Sequence, residues 1–141
     1  MSIQAVLLPV FVEVALTFAL LIWMGRLRAQ ALNSGQVQAK DIALREPGWP
    51  PRAMQVGNSF QNQFELPVLF YVRTILAWVT RHADLLFVVM AWIFVLSRLA
   101  QAYIHCTSNR VRWRGNAYAV GSLVLLAMWV IFAVRILLGL P

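Results

Sequence analysis

Four polar side chains interrupt one long apolar run of this 141-residue chain, at spacings of three and four residues. They are Asn58, Gln61, Asn62 and Glu65. Residues three and four apart lie on the same face of a helix. An amide or carboxylate without a partner in hydrocarbon costs several kcal/mol, so this face must meet other protein or a water-filled cavity. The stripe is therefore the first candidate for a site that binds a polar ligand.

A second set of polar side chains interrupts the next apolar run, at Arg98, Gln101 and His105. Their helical spacing places them on one face, which we expect to meet the first stripe. A charge inside a membrane is by default a functional hypothesis, and it needs a partner. Glu65 is the first choice as partner of Arg98, because the two helices form a hairpin. Glu13, near the middle of the first apolar run, is the alternative.

Basic residues follow directly after this third run, at Arg110, Arg112 and Arg114. Topogenic charge and contact with anionic lipid explain their number, but not the polar residues that continue inward behind them. Together these residues outline a funnel that is cationic at its rim, rich in amides below and carboxylic at its base. Such a funnel suits a small anionic, peptide-like molecule, whose carboxylates meet arginine and whose ammonium group meets Glu65.

Four apolar runs must position these side chains, and each is close to the ~20 residues that a helix rising ~1.5 Å per residue needs to cross ~30 Å of hydrocarbon. The chain is 61% hydrophobic and only 12% charged, which is far from a soluble domain. We predict one all-α domain over residues 1–141, an integral membrane four-helix bundle. The predicted helices are 3–24, 54–80, 84–107 and 116–139, and a loop covers 25–53. Pro67 is expected to bend the second helix just beyond the polar stripe.

The distribution of charge predicts an orientation and excludes one class of partner. The net charge is +7, but the basic residues concentrate in the loops after the first and third helices instead of forming a nucleic-acid-binding patch. With four crossings both loops lie on one side, and the positive-inside rule makes that side cytoplasmic. Both termini then face outward, to the periplasm if the host is a bacterium. We expect the bilayer, and not nucleic acid, to be the partner.

Cysteine and metal chemistry are not expected from this sequence. Cys106 is the only cysteine, so no intrachain disulfide can form. His105 precedes it directly, but neighbours on a helix point about 100° apart and do not form a dyad. His82, the other histidine, is predicted on the opposite side of the membrane.

These residues resemble the MAPEG family, the membrane-associated proteins in eicosanoid and glutathione metabolism, over nearly the whole chain. The second-helix motif of the family is similar to Asn62-Gln-Phe-Glu65-Leu-Pro67. The family pattern of a third-helix arginine, a basic loop and a tyrosine is similar in order and approximate spacing to Arg98, His105, Arg110, Arg114 and Tyr118. The longer stretches Asn-Gln-Phe-Glu-Leu-Pro-Val-Leu-Phe-Tyr and Ile-His-Cys-Thr-x-Asn-Arg-Val resemble a divergent bacterial branch, which points to a bacterial inner membrane.

The resemblance implies a homotrimer that holds glutathione as co-substrate between neighbouring subunits, at the cytoplasmic side. It implies glutathione binding by Asn62, Glu65, Arg98 and Tyr118, and it gives Arg114, or else Arg112, the role of stabilising the thiolate. From the predicted funnel, Asn58, His105 and Arg110 join the binding set.

Two functions remain open at this stage. The first is a glutathione-dependent transferase or peroxidase that acts on lipophilic electrophiles entering from the bilayer. The second is a non-catalytic scaffold or accessory subunit that binds lipid or a larger membrane complex, because membership of the family does not decide whether a chain is an enzyme.

Overall fold

The computed structural model describes residues 1–44 and 48–141, and all regular structure in these two ranges is helical. The α-helices are α1 (Ile3–Asn33), α2 (Pro51–Gln61), α3 (Leu66–Val79), α4 (Leu85–Cys106) and α5 (Val111–Leu137), with short 3-10 helices at Ala39–Ile42 and Asn62–Phe64. Because α2 and α3 are the two halves of the second predicted helix, the predicted all-α, four-helix architecture is confirmed.

Three of the described helices, α1, α4 and α5, are long and apolar enough to cross a membrane. The core of the bundle lies between α1, α3, α4 and α5, where Val6, Phe70, Phe94 and Met128 are buried together. The rings of Phe70 and Phe94 pack at a tilt of 31°, with their centroids 4.8 Å apart. Many large apolar side chains point outward instead, as expected where lipid replaces water around a bundle. These are the features of an integral membrane protein.

The first helix runs well past its predicted end at residue 24. Residues 25–33 contain no proline and are rich in leucine, arginine, alanine and glutamine, which are good helix formers. The loss of hydropathy therefore marks the end of the apolar stretch and not the end of the helix. Ser34 closes α1 through a bond from its N–H to the carbonyl of Gln30 at 2.9 Å, and Gly35 follows at φ 78°. Residues 45–47 of the predicted loop lie outside the described residues.

The second predicted helix is interrupted, and the interruption lies within the polar stripe rather than just beyond it. α2 ends at Gln61, one 3-10 turn follows, and α3 starts at Leu66. Between them Glu65 has φ −96° and ψ −107°, outside the helical region. Pro67 has no N–H to offer the carbonyl of Gln63, and its ring crowds that carbonyl, so regular helix stops in the turn before it. The expected bend is thus a break within the polar stripe.

The last helix begins at Val111, earlier than the predicted start at 116. The turn from α4 is short because Asn109 adopts a left-handed conformation, with φ 50°, and its N–H donates to the carbonyl of Ile104 at 2.7 Å. Asparagine tolerates this region better than most residues. Arg112 and Arg114, predicted in a loop, therefore lie on the first turn of α5.

At the end of the bundle opposite the polar stripe, a buried arginine ties three helices together. Arg73 on α3 donates from Nε to the main-chain carbonyl of Met128 on α5, at 3.0 Å. Its guanidinium lies 4.3 Å from the ring centroid of Phe132 and 5.0 Å from that of Phe87 on α4. Cation–π contacts of this kind are strongest away from water, so Arg73 fixes α3 against the α4–α5 pair.

Asp84 caps α4 and joins it to the end of α5. Its carboxylate accepts from the N–H of Phe87 at 2.9 Å and from Arg135 at 2.7 Å. Partial burial acts to raise the pKa of Asp84, but the Phe87 amide and the Arg135 guanidinium outweigh it. The pKa of Asp84 therefore lies below its usual value.

This depressed pKa predicts an acid-dependent loss of stability. A group whose pKa is lower in the folded protein contributes stability above its unfolded pKa, about 3.9 for aspartate, and that stability is lost as the pH falls through the folded value. We expect the melting temperature in detergent to fall more steeply on acidification in the wild type than in Asp84→Asn. Asp41→Asn, in the first loop, is the matched control. Equal slopes for wild type and Asp84→Asn would contradict the assignment.

At Gly121, α5 packs tightly against α4. A β-carbon at this position would lie 2.7 Å from Oγ of Ser97, which is fixed by a 2.6 Å bond to the carbonyl of Phe94. We expect Gly121→Val to lower the free energy of unfolding by about 1–3 kcal/mol, the usual cost of overpacking. Gly25→Ala is the matched control, because nothing lies within 4 Å of a β-carbon there. Equal melting temperatures for the two variants would show that the helices do not need this contact.

Candidate functional site

A groove of about 480 Å³ opens between the broken second helix, the end of α4 and the start of α5. We call it the polar groove. Its lining residues are Asn58, Gln61, Asn62, Glu65, Gln101, His105, Val111, Arg114, Gly115 and Tyr118. The two polar faces singled out in the sequence thus meet in one recess, together with the first two turns of α5.

The helix break determines how the stripe faces the groove. Asn58 and Gln61 lie on α2, whereas Asn62 and Glu65 lie in and just after the 3-10 turn. Asn58, Gln61 and Glu65 are exposed in the single chain. At the depth of a membrane such side chains need water or another protein surface. This face is therefore one that the single chain does not cover by itself.

Helical periodicity separates the loop arginines into two groups. Val111, Arg114, Gly115 and Tyr118 line the groove at spacings of three and four residues, which is one face of α5. Arg112 falls outside that face and is exposed to solvent. Arg114 is half-buried, and its Nη1 donates to Oδ1 of Asn109 at 2.8 Å. Of the two arginines predicted for the thiolate role, Arg114 is the one in the groove.

Arg98 lies beneath the groove and not on its surface. It is 1% exposed, and its Nη1 donates to Oε1 of Gln101, a groove residue. Its Nη2 donates to the main-chain carbonyl of Asn62 at 3.0 Å. That carbonyl lies in the turn where regular helix stops, and a polar backbone group without a partner at membrane depth is costly. Arg98 therefore stabilises the break and fixes the groove floor.

Neither ion pair predicted for Arg98 forms as a direct contact. Asp84 and Arg135 are the only oppositely charged side chains within 4 Å of each other in residues 1–44 and 48–141. The predicted Glu65–Arg98 pair is absent because the helix break turns Glu65 outward and presents a main-chain carbonyl to the arginine instead. Glu13 is buried, but it makes no hydrogen bond to Arg98.

The end of α4 is tied to α2 by two side chains that are not among the predicted site residues. Nε2 of Gln55 donates to the carbonyl of His105 at 2.6 Å and to that of Thr107 at 3.2 Å. Arg52 donates to the carbonyl of Cys106. The last carbonyls of a helix lack partners within it, so these contacts complete the C-terminus of α4. They also hold α2, and with it Asn58, against the groove.

Most of the predicted site residues meet in the polar groove. Its lining includes Asn58, Asn62, Glu65, His105, Arg114 and Tyr118, with Arg98 directly below. Arg110 and Arg112 are exposed and lie outside it, because α5 starts at Val111 and turns Arg112 away. Val111 and Gly115 are groove residues that the sequence reasoning missed. The spacing of Tyr118 from Val111, Arg114 and Gly115 would have indicated them, had the helix start been placed correctly.

The groove is chemically suited to a small charged peptide. Its volume lies within the roughly 300–1,000 Å³ typical of small-molecule sites. Amide groups of the broken second helix and of α4 can donate to and accept from peptide bonds, and Glu65 offers a carboxylate to an ammonium group. Arg114 offers a cation to a carboxylate or a thiolate. An acyl chain would leave all of these polar groups without partners.

Comparison with known proteins gives one match. The model of the MAPEG family matches residues 6–134 of the chain. No curated protein and no solved structure matches it.

Proposed function

The chain belongs to the MAPEG family, and from this premise we propose that its polar groove binds glutathione and presents the thiolate to lipophilic electrophiles from the bilayer. The observation that carries the proposal is the composition of the groove: one carboxylate, several amides and one half-buried arginine, in a recess otherwise surrounded by apolar helices. Members of the family are glutathione-related transferases and isomerases.

Each groove residue has a distinct task in this proposal. Glu65 binds the ammonium group, and Asn58 and Asn62 bind the peptide and carboxylate groups. Arg98 holds the floor of the groove in shape through its bonds to Asn62 and Gln101. His105 and Tyr118 complete the walls.

Arg114 is the residue that we assign to the chemistry. A cation beside the sulfur favours the thiolate, which is the nucleophilic form of glutathione. The thiol proton is released to water, and the sulfur lone pair forms a bond to the electrophilic carbon. The electron pair of the bond that breaks leaves with the departing group, or moves onto an oxygen when an epoxide opens. Arg112 serves as the comparison residue, since it lies on the same helical turn but faces solvent.

We propose a homotrimer in which a neighbouring subunit covers the exposed side of each groove. The exposure of Asn58, Gln61 and Glu65 in the single chain supports this arrangement, because polar side chains at this depth need a partner surface or water. The two basic loops then face the cytoplasm of a bacterial inner membrane, and both termini face the periplasm. This orientation opens the groove on the side where glutathione is made and kept reduced.

Calorimetric titration of glutathione into the protein in lipid nanodiscs tests the proposal. We expect saturable binding in the wild type, and retained but weaker binding of the analogue in which alanine replaces the cysteine. Glu65→Gln should weaken both ligands about equally, because it removes the contact to the ammonium group. Arg114→Ala should weaken the binding of glutathione more than it weakens the binding of the alanine analogue.

A clean absence of heat with glutathione in both detergent and nanodiscs would contradict the proposal. Co-purification with a larger membrane complex, together with acyl chains in the groove, would then identify the chain as a lipid-binding scaffold or accessory subunit.

A further inference from the structure

Glu13, a buried carboxylic residue of α1, lies outside the lining of the polar groove. The buried residues of α1 begin with Val6, Pro9 and Glu13 and continue with Leu20 and Met24. Their spacings of three, four and seven form one helical stripe that faces the bundle. Glu13 lies at the centre of this stripe and is 0% exposed. It is an ionisable side chain inside the bundle. Burying such a side chain at membrane depth costs free energy, which makes Glu13 a candidate for a functional role.

The packing of α1 on α4 places Glu13 at the level of Arg98. Toward the N-terminus of α1, Val6 packs in one cluster with Phe94 and Val95 of α4. Toward its C-terminus, Leu20 packs in a second cluster with Ala102. On α1, Glu13 is midway between Val6 and Leu20. On α4, Arg98 is about midway between Val95 and Ala102. Both residues therefore lie at the same height in the bundle, between the two clusters.

No hydrogen-bond donor reaches the carboxylate of Glu13. Neither Oε1 nor Oε2 has a partner within the described residues. The hydroxyl of Thr17 donates to the main-chain carbonyl of Glu13, at 3.1 Å, and not to its side chain. Nε of Arg98 also lacks a partner, although both terminal nitrogens of that guanidinium are bonded.

Titratable groups of α3, α5 and the helix break lie near Glu13 and Arg98. Arg98 is the charge that acts on Glu13, and Glu13 is the strongest charge acting on Arg98. Tyr71 of α3 lies within electrostatic range of both of them, and Tyr118 of α5 and the outward-turned Glu65 lie within electrostatic range of Arg98. Arg98 is therefore placed between a buried carboxylate on one side and the residues of the polar groove on the other.

We propose that Glu13 is a positioning residue that acts on the groove through Arg98. When its carboxyl group is ionised, its negative charge offsets the positive charge of Arg98, so that Arg98 supports Asn62 and Gln101 while adding less positive charge to the groove. Glu13 thereby sets how strongly the groove attracts the carboxylates of its ligand. This inference rests on the proposed function, since it concerns the affinity of that site for an anionic peptide.

The replacement Glu13→Gln keeps the shape of the side chain and removes its charge. At about pH 8.5, where the carboxyl group of the wild type is ionised, we expect glutathione to bind more tightly to this variant, on the order of tenfold, which is the size of effect that one charge has on another across roughly 10 Å at an effective dielectric of about 20. Glu13→Asp should keep wild-type affinity. Thr17→Val is the matched control, because it alters the same face of α1 without changing a charge.

A ligand without net negative charge separates an electrostatic role from a structural one. The diethyl ester of glutathione keeps the peptide and the thiol but lacks both carboxylates. The tightening in Glu13→Gln should disappear with this ester. A variant whose groove had merely changed shape would alter the affinity for both ligands alike, and that result would overturn the proposal.

The coupling of the two buried charges can be measured without any ligand. In a double-mutant cycle of Glu13→Gln and Arg98→Gln, we expect each single change to lower the melting temperature in nanodiscs. The melting temperature of the double variant should be higher than the value obtained by adding the two single decreases. If the wild type binds no glutathione but the cycle shows coupling, the proposed function fails while the charge pair stands. Additive losses in the cycle, together with unchanged glutathione affinity in Glu13→Gln, would overturn the role of Glu13.

Discussion

Arg114→Ala should lower the rate of glutathione conjugation about 10²–10³-fold, the usual cost of removing one preorganised group that stabilises an anion. Arg114 is the only arginine that lines the polar groove within the described residues, and it is held there by Asn109. Without its charge the thiol pKa returns toward the value in water, so less thiolate is present at neutral pH. The ultraviolet absorbance of the thiolate, measured as a difference spectrum on addition of glutathione, should decrease in parallel.

Arg112→Ala is the control for this result. It removes an identical charge from the same turn of α5, but the side chain is exposed and outside the groove. We expect its rate and its difference spectrum to stay near those of the wild type. A large loss in Arg112→Ala together with full activity in Arg114→Ala would reverse the assignment.

Arg98→Met should cost about 1–3 kcal/mol of stability for each buried polar group that it leaves without a hydrogen-bond partner. The change leaves the carbonyl of Asn62 and the side chain of Gln101 without their donor, and it leaves Glu13 without its opposite charge. Methionine retains most of the apolar length of the side chain, so little of the loss arises from packing. Thermal and denaturant unfolding in detergent micelles measure the effect.

The control for this change is Arg110→Met, at an exposed position outside the groove. Surface substitutions of this kind usually change stability by no more than about 0.5 kcal/mol. If Arg98→Met unfolded at the same denaturant concentration as Arg110→Met, then Arg98 would not be the residue that stabilises the helix break.

The parts of the site that sequence predicted well are those fixed by helical periodicity. Asn58, Asn62 and Glu65 recur at spacings that put them together, and so do Gln101 and His105. A period of 3.6 residues specifies a shared face even when the boundaries of the helix are misplaced. The all-α membrane bundle follows in the same way, because only long apolar runs can cover the distance across hydrocarbon.

The parts of the site that the sequence did not predict depend on the positions of main-chain groups and charges in the folded chain. The break at Glu65 frees a carbonyl that then becomes the partner of Arg98, so the pairing of carboxylate with arginine expected from charge alone does not form. The start of α5 at Val111 decides that Arg114 enters the groove and Arg112 does not. Single-sequence reasoning places helix ends least reliably, and each of these outcomes depends on a helix end.

The most direct test of the polar groove as a glutathione site is a cryo-electron microscopy map of the protein in nanodiscs with glutathione present. We expect a trimer with tripeptide density in each groove, its ammonium end at Glu65 and its sulfur beside Arg114. Grooves filled by acyl chains or by side chains of the neighbouring subunit, with no tripeptide density at saturating glutathione, would contradict the account.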